Sequence, residues 1–403
     1  MIHRGKKALL STAALLFVSS LTTPVWAHRA PALSAGAAIL VDGNTGQILY
    51  ARDIRGEFYP ASITKIMTAY LAITHGWHDT VHVSVQAQDQ IGASAYLRAG
   101  QSLPMPKVVT AMMLVSGNDA AYAVAQTVGG SVAHFVQMMN RQAKAWGAPG
   151  IHFDNPDGLP DPKHVVSALG MAIIAEHAMQ NPIFRRIVST KESTLPPDPH
   201  PRVYYNQNQL LYHFPGAVGI KIGYTIEADE TIVGAARRHH LFLIEVLLRD
   251  TPAGLWPDAE NLLSWGFGNF RAMTLVKSGQ MLGTVDVGGR PVPVRSAQGI
   301  TYAVQKSARP AIGVQLTALT PHSNRPIRKD ETVGEAEITV NRHLVAEVPV
   351  RATKALAPLP PRLHWNWAWL LLPAAVAASL GVGTRRAQIS GARRRFGGGL
   401  NRG

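Results

Sequence analysis

The chain predicts an α+β fold, an antiparallel sheet with helices, followed by a small all-β domain and a C-terminal transmembrane helix. Three observations lead there. β-prone runs at both ends of the stretch before Phe270 enclose a helical middle, as in one sheet assembled from distant parts of a chain. After Phe270 short β-like runs alternate with turn residues, and near the end Trp365 to Gly383 is apolar, uncharged and close to bilayer-crossing length.

In chain order, MIHRGKKALLSTAALLFVSSLTTPVWA has a basic start, an apolar run from Ala8 to Leu21 and a small-residue end at Val25-Trp26-Ala27. That is the layout of a secretory signal over residues 1–27, cleaved after Ala27. Gly36 to Ala51 reads as a hairpin around the turn cluster Asp42-Gly43-Asn44-Thr45-Gly46. PASITKIMTAY continues as a helix to about Thr74. PMPKVVTAMMLVSGNDAAYAVAQTVG gives two helical runs interrupted at Ser116-Gly117-Asn118, and SVAHFVQMMNRQAKAWG and VVSALGMAIIAEHAM carry helical spacing. AVGIKIGYT, ETIVGAARR and HLFLIEVLL follow as three strands. MLGTVDV, PVPVRS, AIGVQLTAL, GEAEITV and LVAEVPV then form the second domain. The expected divisions are 1–27 signal, 28–270 first domain, 271–350 all-β domain, 351–364 proline-bearing linker, 365–383 membrane helix and 384–403 basic tail.

Composition bounds the function. A hydrophobic fraction of 46% with 16% charged residues excludes a disordered chain. The net charge of +14 suits a polyanion or anionic membrane, but no arginine-rich tract interleaved with aromatics appears in the folded part, so no nucleic-acid partner is expected. Part of the excess is topology. Tryptophans crowd the start of the 365–383 run and Arg385, Arg386, Arg393, Arg394 and Arg395 follow it, placing the chain outside and its tail inside. Zero cysteines exclude disulfides, thiolate zinc sites and a cysteine nucleophile.

Ser62 and Lys65 lie three apart where an apolar segment begins, so in a helix the amine reaches the hydroxyl one turn away. A serine needs such a neighbour to become a nucleophile. Ser62 is the sole serine followed by lysine at the third position, yet the pair alone reads more simply as a helix-capping serine beside a surface lysine. Two further stretches shift the balance: Ser116-Gly117-Asn118 supplies a second hydroxyl and an amide, and Lys221-Ile222-Gly223 sits on a strand whose glycine permits close backbone approach.

In order and spacing these stretches resemble the Ser-x-x-Lys, Ser-x-Asn and Lys-Thr/Ser-Gly motifs of penicillin-binding, active-site-serine acyl transferases. ILVDGNTGQILYARDIRGEFYPASITKIMTAY, SGNDAAYAVA, NPDGLPDPKHVVSALGMA and GIKIGYTIEADETIVGAARR look like the low-molecular-mass D-alanyl-D-alanine carboxypeptidases of the S11 peptidase group. The similarity runs from about Gly36 to Phe270, and KDETVGEAEITVNRHLVAEVPV is similar to that family's β-rich C-terminal domain. The resemblance implies a transpeptidase/β-lactamase-like catalytic domain, a β-domain stalk and a membrane tether in a bacterial envelope, with the catalytic domain outside the cytoplasmic membrane. It also implies peptidoglycan stem peptide as substrate, acylation by β-lactam antibiotics and no cofactor.

Carried over by resemblance, Ser62 attacks the carbonyl between two terminal D-alanines of a stem pentapeptide and forms an acyl-enzyme. Lys65 takes its proton, which requires an amine pKa lowered by burial and a neighbouring cation, for which Lys221 is the candidate. Ser116 passes a proton to the departing D-alanine and Asn118 holds the peptide backbone. The N–H groups of Ser62 and Tyr224 form the oxyanion hole, with Gly223 and Thr225 completing the binding strand. Ile222 departs from the family's threonine or serine, so either Thr225 or another donor compensates or carboxylate affinity falls. Lys277-Ser278-Gly279 matches the letters but lies in the second domain and is taken as a decoy. Gly170 stands where relatives often have aspartate, which should loosen local packing.

Other readings remain open on the residues alone: a catalytically weakened penicillin-binding or wall-binding protein, a serine β-lactamase and a dd-endopeptidase. His75, His78, Asp79 and His82 suggest a zinc carboxypeptidase, but their spacing matches no zinc motif and no metal is expected.

Overall fold

Alternation of side chains along the first strand already requires a sheet buried on both faces. In β1 (Ala37–Asp42), Ala37, Ile39 and Val41 enter one apolar cluster while Ala38 and Leu40 enter another. The computed structural model describes residues 30–195, 202–319 and 325–358. The signal reading, the 365–383 run and the basic tail lie outside them. Among the described residues no helix is long and apolar enough to cross a membrane.

β1 pairs antiparallel with β2 (Ile48–Arg52) across the expected turn, where the Asp42 carboxylate accepts from the Asn44 N–H at 3.0 Å. A short 3₁₀ turn, Ala61–Thr64, leads into α1 (Lys65–His75). Then come β3 (Thr80–His82), α2 (Val85–Gln88), β4 (Ser102–Pro104), α3 (Met105–Val115), α4 (Asn118–Gly129), α5 (Val132–Ala145), α6 (Ala168–Gln180) and α7 (Pro182–Val188). Ser131 and Ser167 cap α5 and α6 by accepting from His134 N–H and Gly170 N–H. A hairpin of β5 (Glu192–Leu195) and β6 (Arg202–Tyr205), then α8 (Leu210–His213), precede β7 (Ala217–Thr225), β8 (Asp229–Arg238) and β9 (Leu241–Asp250). The last three join the first hairpin in one antiparallel sheet of order β2-β1-β9-β8-β7. α1 and α3 to α6 bury their apolar sides on one face, and α9 (Leu255–Asn269) covers the other.

The chain continues through β10 (Phe270–Val276), β11 (Met281–Asp286), β12 (Pro291–Ser296), β13 (Ile300–Gln305), β14 (Ile312–Ala318), β15 (Thr332–Val340) and β16 (His343–Ala352). β10 and β13 form a two-stranded ladder, and the rest form an antiparallel sheet of order β11-β12-β16-β15-β14 around its own apolar cluster. The ladder joins the two parts. Phe270 and Ala303 pack in the α9 cluster, and the Ala303 N–H donates to buried Asp42 at 2.9 Å. Burial pushes that carboxyl up to about 6.

Gly170 does not loosen its surroundings. A Cβ there would lie 2.3 Å from the Pro149 carbonyl oxygen and 2.6 Å from Ile151, so its lack of a side chain lets α6 seat directly on that segment.

Candidate active site

Where the 3₁₀ turn becomes α1, Ser62 is half-buried and Lys65 fully buried. Three bonds fix the lysine. Its Nζ donates to Ser62 Oγ at 2.8 Å, to Asn118 Oδ1 at 2.7 Å and to the Asp157 carbonyl oxygen at 2.7 Å. These use all the donors of an ammonium group, and the one on Ser62 exchanges direction when the amine is neutral. Burial pulls the Lys65 pKa down to about 8, against the opposing pull of Asp157 and Asp119. The spacing in PASITK therefore puts a buried, lowered amine in contact with a serine hydroxyl.

The Asp157 carbonyl comes from an Asn155-Pro156-Asp157-Gly158 turn. Thr68 Oγ1 donates to the Pro156 carbonyl at 2.6 Å, pinning α1 to it. Gly158, at φ 93°, lets the turn close in: a Cβ there would sit 1.8 Å from the Ala61 carbonyl oxygen. Beside it, the fully buried His164 ring meets Thr64 Oγ1 at 3.0 Å through Nε2 and accepts from the Asp154 N–H through Nδ1, so Nε2 carries the proton. Burial holds this imidazole down to about 4, neutral at ordinary pH.

α3 stops at Ser116, whose backbone is left-handed at φ 63°, and α4 restarts at Asn118. The break presents both side chains at one buried corner. Asn118 spends Oδ1 on Lys65 and one Nδ2 hydrogen on the Ile91 carbonyl at 2.6 Å, leaving the second hydrogen for a ligand. Asp119 next to it gathers the Ala95 and Leu97 N–H groups and the Ser94 hydroxyl.

β7 is the edge strand that completes the site. Gly223 lies against Ser62: a Cβ there would fall 2.5 Å from the Ser62 nitrogen and 2.8 Å from Thr231 Oγ1. Thr231 holds that approach by reaching the carbonyls of Pro60 at 2.9 Å and Gly223 at 3.1 Å. Lys221 shares the face of Gly223, is buried, and donates to the Ile222 carbonyl at 2.9 Å. Burial first and the Lys65 charge second hold its amine well below the usual lysine value. Burial is thus the main cause of the shift on both lysines, and their mutual repulsion is felt at Lys221. Tyr224 is exposed, its backbone opposite Glu230, and Thr225 Oγ1 accepts from the Ala228 N–H in the following turn.

Ile222 points the other way. It pairs with Ile232 across the ladder and packs into the α9 cluster, on the face away from Ser62. The literal Lys277-Ser278-Gly279 triplet occupies the turn between β10 and β11, with open space around Gly279. His75 and His82 bond to Thr74 and Ser102, and among the described residues no group of histidine and carboxylate side chains gathers to hold a metal.

The structure thus brings together Ser62, Lys65, Ser116, Asn118, Lys221 and Gly223. Sequence reasoning missed the carbonyls of Asp157, Ile91 and Ala93 as partners, because a backbone acceptor has no signature of its own. It also passed over Thr231 and Asp119, although Asp119 adjoins the third letter of the second motif.

Comparison with known proteins identifies the family of the chain. Residues 25–251, more than half of the chain, match the D-alanyl-D-alanine carboxypeptidase family, and residues 270–357 match the C-terminal domain of penicillin-binding protein 5. D-alanyl-D-alanine carboxypeptidase DacF of Bacillus subtilis is 28% identical over 79% of this chain and 85% of its own length. DacB2 of Mycobacterium tuberculosis is 33% identical over 57% of this chain and 81% of its own. The crystal structure of penicillin-binding protein 5 from Haemophilus influenzae superposes with a TM-score of 0.68 at 25% identity, covering 82% of this chain and 99% of that one. With its motifs in order around one buried lysine, a sheet of this topology and a matching β-rich C-terminal domain, the chain belongs to the peptidase S11 family of D-alanyl-D-alanine carboxypeptidases.

Proposed function

We propose that the protein is a serine-type D-Ala-D-Ala carboxypeptidase that removes the terminal D-alanine from peptidoglycan stem pentapeptides. The observation that carries this reading is the buried Lys65 amine, 2.8 Å from Ser62 Oγ and lowered to about 8. Lys65 accepts the hydroxyl proton as Oγ bonds to the scissile carbonyl carbon. The N–H groups of Ser62 and Tyr224 take the developing oxyanion, at the contact that Gly223 keeps open. The C–N bond breaks with a proton passed through Ser116 to the leaving amine. Water then cleaves the ester and restores Lys65. Asn118 holds the lysine and offers its free N–H to the peptide backbone. The terminal carboxylate lies near Lys221, where an anion favours the charged amine. Since Thr225 Oγ1 accepts from Ala228 N–H, its own proton stays free for that carboxylate. A β-lactam enters by the same steps and acylates Ser62.

The envelope location belongs to this reading as well. Residues 1–27 serve as export signal and 365–383 as tether, with 28–270 and 271–350 outside the cytoplasmic membrane and the 384–403 tail inside. The support is the sequence pattern described above. A decisive assay is D-alanine release from diacetyl-Lys-D-Ala-D-Ala, with Ser62→Ala and EDTA-treated samples alongside. Release that requires Ser62 and ignores EDTA is expected; loss in EDTA would replace the mechanism with a metal-dependent one.

A further inference from the structure

Asp119 directly follows the second motif, in the first turn of α4, and is fully buried. Among the described residues no lysine, arginine or histidine forms an ion pair with it. Four donors stand in for a counter-ion. Oδ1 accepts from the Ala95 and Ala120 N–H groups, each at 2.8 Å, and Oδ2 accepts from the Ser94 hydroxyl at 2.7 Å and the Leu97 N–H at 2.9 Å. Every one of these groups donates, so they fit an ionised carboxylate and leave nothing to accept a carboxyl proton. A buried anion without a counter-ion is costly, which calls for a role beyond filling space.

What the carboxylate holds is the loop between α2 and β4. That loop delivers both backbone acceptors of Asn118: the Ile91 carbonyl takes a hydrogen of Nδ2 at 2.6 Å and the Ala93 carbonyl takes the N–H at 2.7 Å. Gly92 stands between them at φ 87°, where a Cβ would come 2.9 Å from Asn118 Nδ2. Gly117 closes the other side, since a Cβ there would lie 2.7 Å from both the Ala95 nitrogen and Asp119 Oδ1. The Tyr204 hydroxyl pins the same stretch by donating to the Ala95 carbonyl at 2.6 Å. With its N–H and Nδ2 so engaged, Asn118 keeps Oδ1 on Lys65 Nζ, 2.7 Å away. The chain of contacts therefore runs from Asp119 through the loop and Asn118 to the amine.

We infer that Asp119 is a positioning residue for acyl transfer: by anchoring this loop with a fixed negative charge it holds Asn118, and through it the Lys65 amine, against Ser62. The inference rests on the reading of Lys65 as the base and adds what tunes that base. Charge acts in the same direction as geometry. Burial pulls the Lys65 amine down to about 8, and Asp157 first and Asp119 second oppose that pull. The Asp157 carboxyl is itself pushed up by burial, so Asp119, with its four donors, is the anion whose charge the fold secures. Lys221 and His164 also sense the Lys65 charge, which lowers both of them. Without Asp119 the amine would be neutral over a wider pH range but a weaker acceptor for the serine proton.

The test follows acylation of Ser62 by benzylpenicillin from pH 6 to 10 in the full chain in detergent, for wild type, Asp119→Asn, Asp119→Glu and Ser94→Ala, with thermal unfolding of each. Asp119→Asn removes the anion and sets an amide N–H against donors. Its plateau rate should fall about tenfold or more, and its midpoint should move below that of wild type by about half a pH unit or more, because a lost negative neighbour disfavours the charged amine. Asp119→Glu keeps the charge but disturbs the loop, so the rate falls at an unchanged midpoint. Ser94→Ala removes one of the four donors and should lower the rate about threefold, again at the wild-type midpoint. A slower Asp119→Asn with the midpoint of wild type would reduce the residue to a structural one and overturn the inference. Should Asp119→Asn fail to fold, wild-type rates in both other variants would overturn it as well. A 13C NMR titration of protein labelled at lysine Cε, with the Lys65 signal assigned through Lys65→Arg, reads the same shift with no substrate present. It decides the inference even if wild type is not acylated at all, an outcome that would instead defeat the carboxypeptidase reading.

Discussion

Two lysine-x-glycine triplets lie on this chain, and the one that matches its family's letters less well is the one at the site. Lys277-Ser278-Gly279 carries the expected hydroxyl but sits in the turn after β10, where a Cβ added at Gly279 would meet only open space. Lys221-Ile222-Gly223 lacks the hydroxyl, yet it lies on an edge strand pressed against the Ser62 nitrogen, with its lysine buried. A motif letter acquires chemistry from the face it occupies. Lys221 and Gly223 share the face toward Ser62, while Ile222 has the opposite parity and fills the α9 cluster beside Ile232.

That comparison can be broken at three points. The largest effect belongs to the lysines. Lys221→Ala should reduce acylation of Ser62 by penicillin about 10²-fold or more, as loss of an electrostatic partner in a buried site does, whereas Lys277→Ala should leave the rate unchanged. Equal effects of the two would remove the distinction. The glycines come next. Gly223→Ala drives a methyl toward the Ser62 nitrogen and should cost about tenfold or more in acylation, since small misplacements of a nucleophile are expensive. Gly279→Ala meets only the strain of φ 75° and should cost about 1 kcal/mol in the stability of the second domain, read by thermal unfolding, with full activity.

The smallest effect is at the middle position. Ile222→Thr puts a hydroxyl on the face away from Ser62, so D-alanine release should stay within about twofold while stability falls by about 1 kcal/mol. A large gain in turnover would show that the residue at 222 reaches the carboxylate after all, and that its parity is a poor guide.

The same logic explains what could be read before the structure. The first hairpin, the helix break at Ser116-Gly117 and the three late strands were legible because each has a local cause: alternation, a breaker, a β-branched run. Ser62 and Lys65 were legible because helical spacing alone makes them neighbours. The cause of the Lys65 shift was legible only in part. Burial accounts for most of it, and burial depends on the turn at Asn155 to Gly158 and on α4, far away in sequence. Gly170 was misread because the letter suggested a gap, while the contact it permits is tight. The side to which Ile222 points was equally hidden, since strand parity is set by register with β8 and not by the triplet itself.

With a buried, readily neutralised Lys65 as the base for Ser62, the acylation of Ser62 by benzylpenicillin depends on pH in a defined way. A lysine lowered to about 8 is protonated and inactive below that value and free to accept a proton above it. The second-order acylation rate should therefore climb with pH, reach half its plateau near 8 and level off above it, with no acyl-enzyme in Ser62→Ala at any pH. A rate that is flat from pH 6 to 10, or that falls as pH rises through 8, would contradict the account.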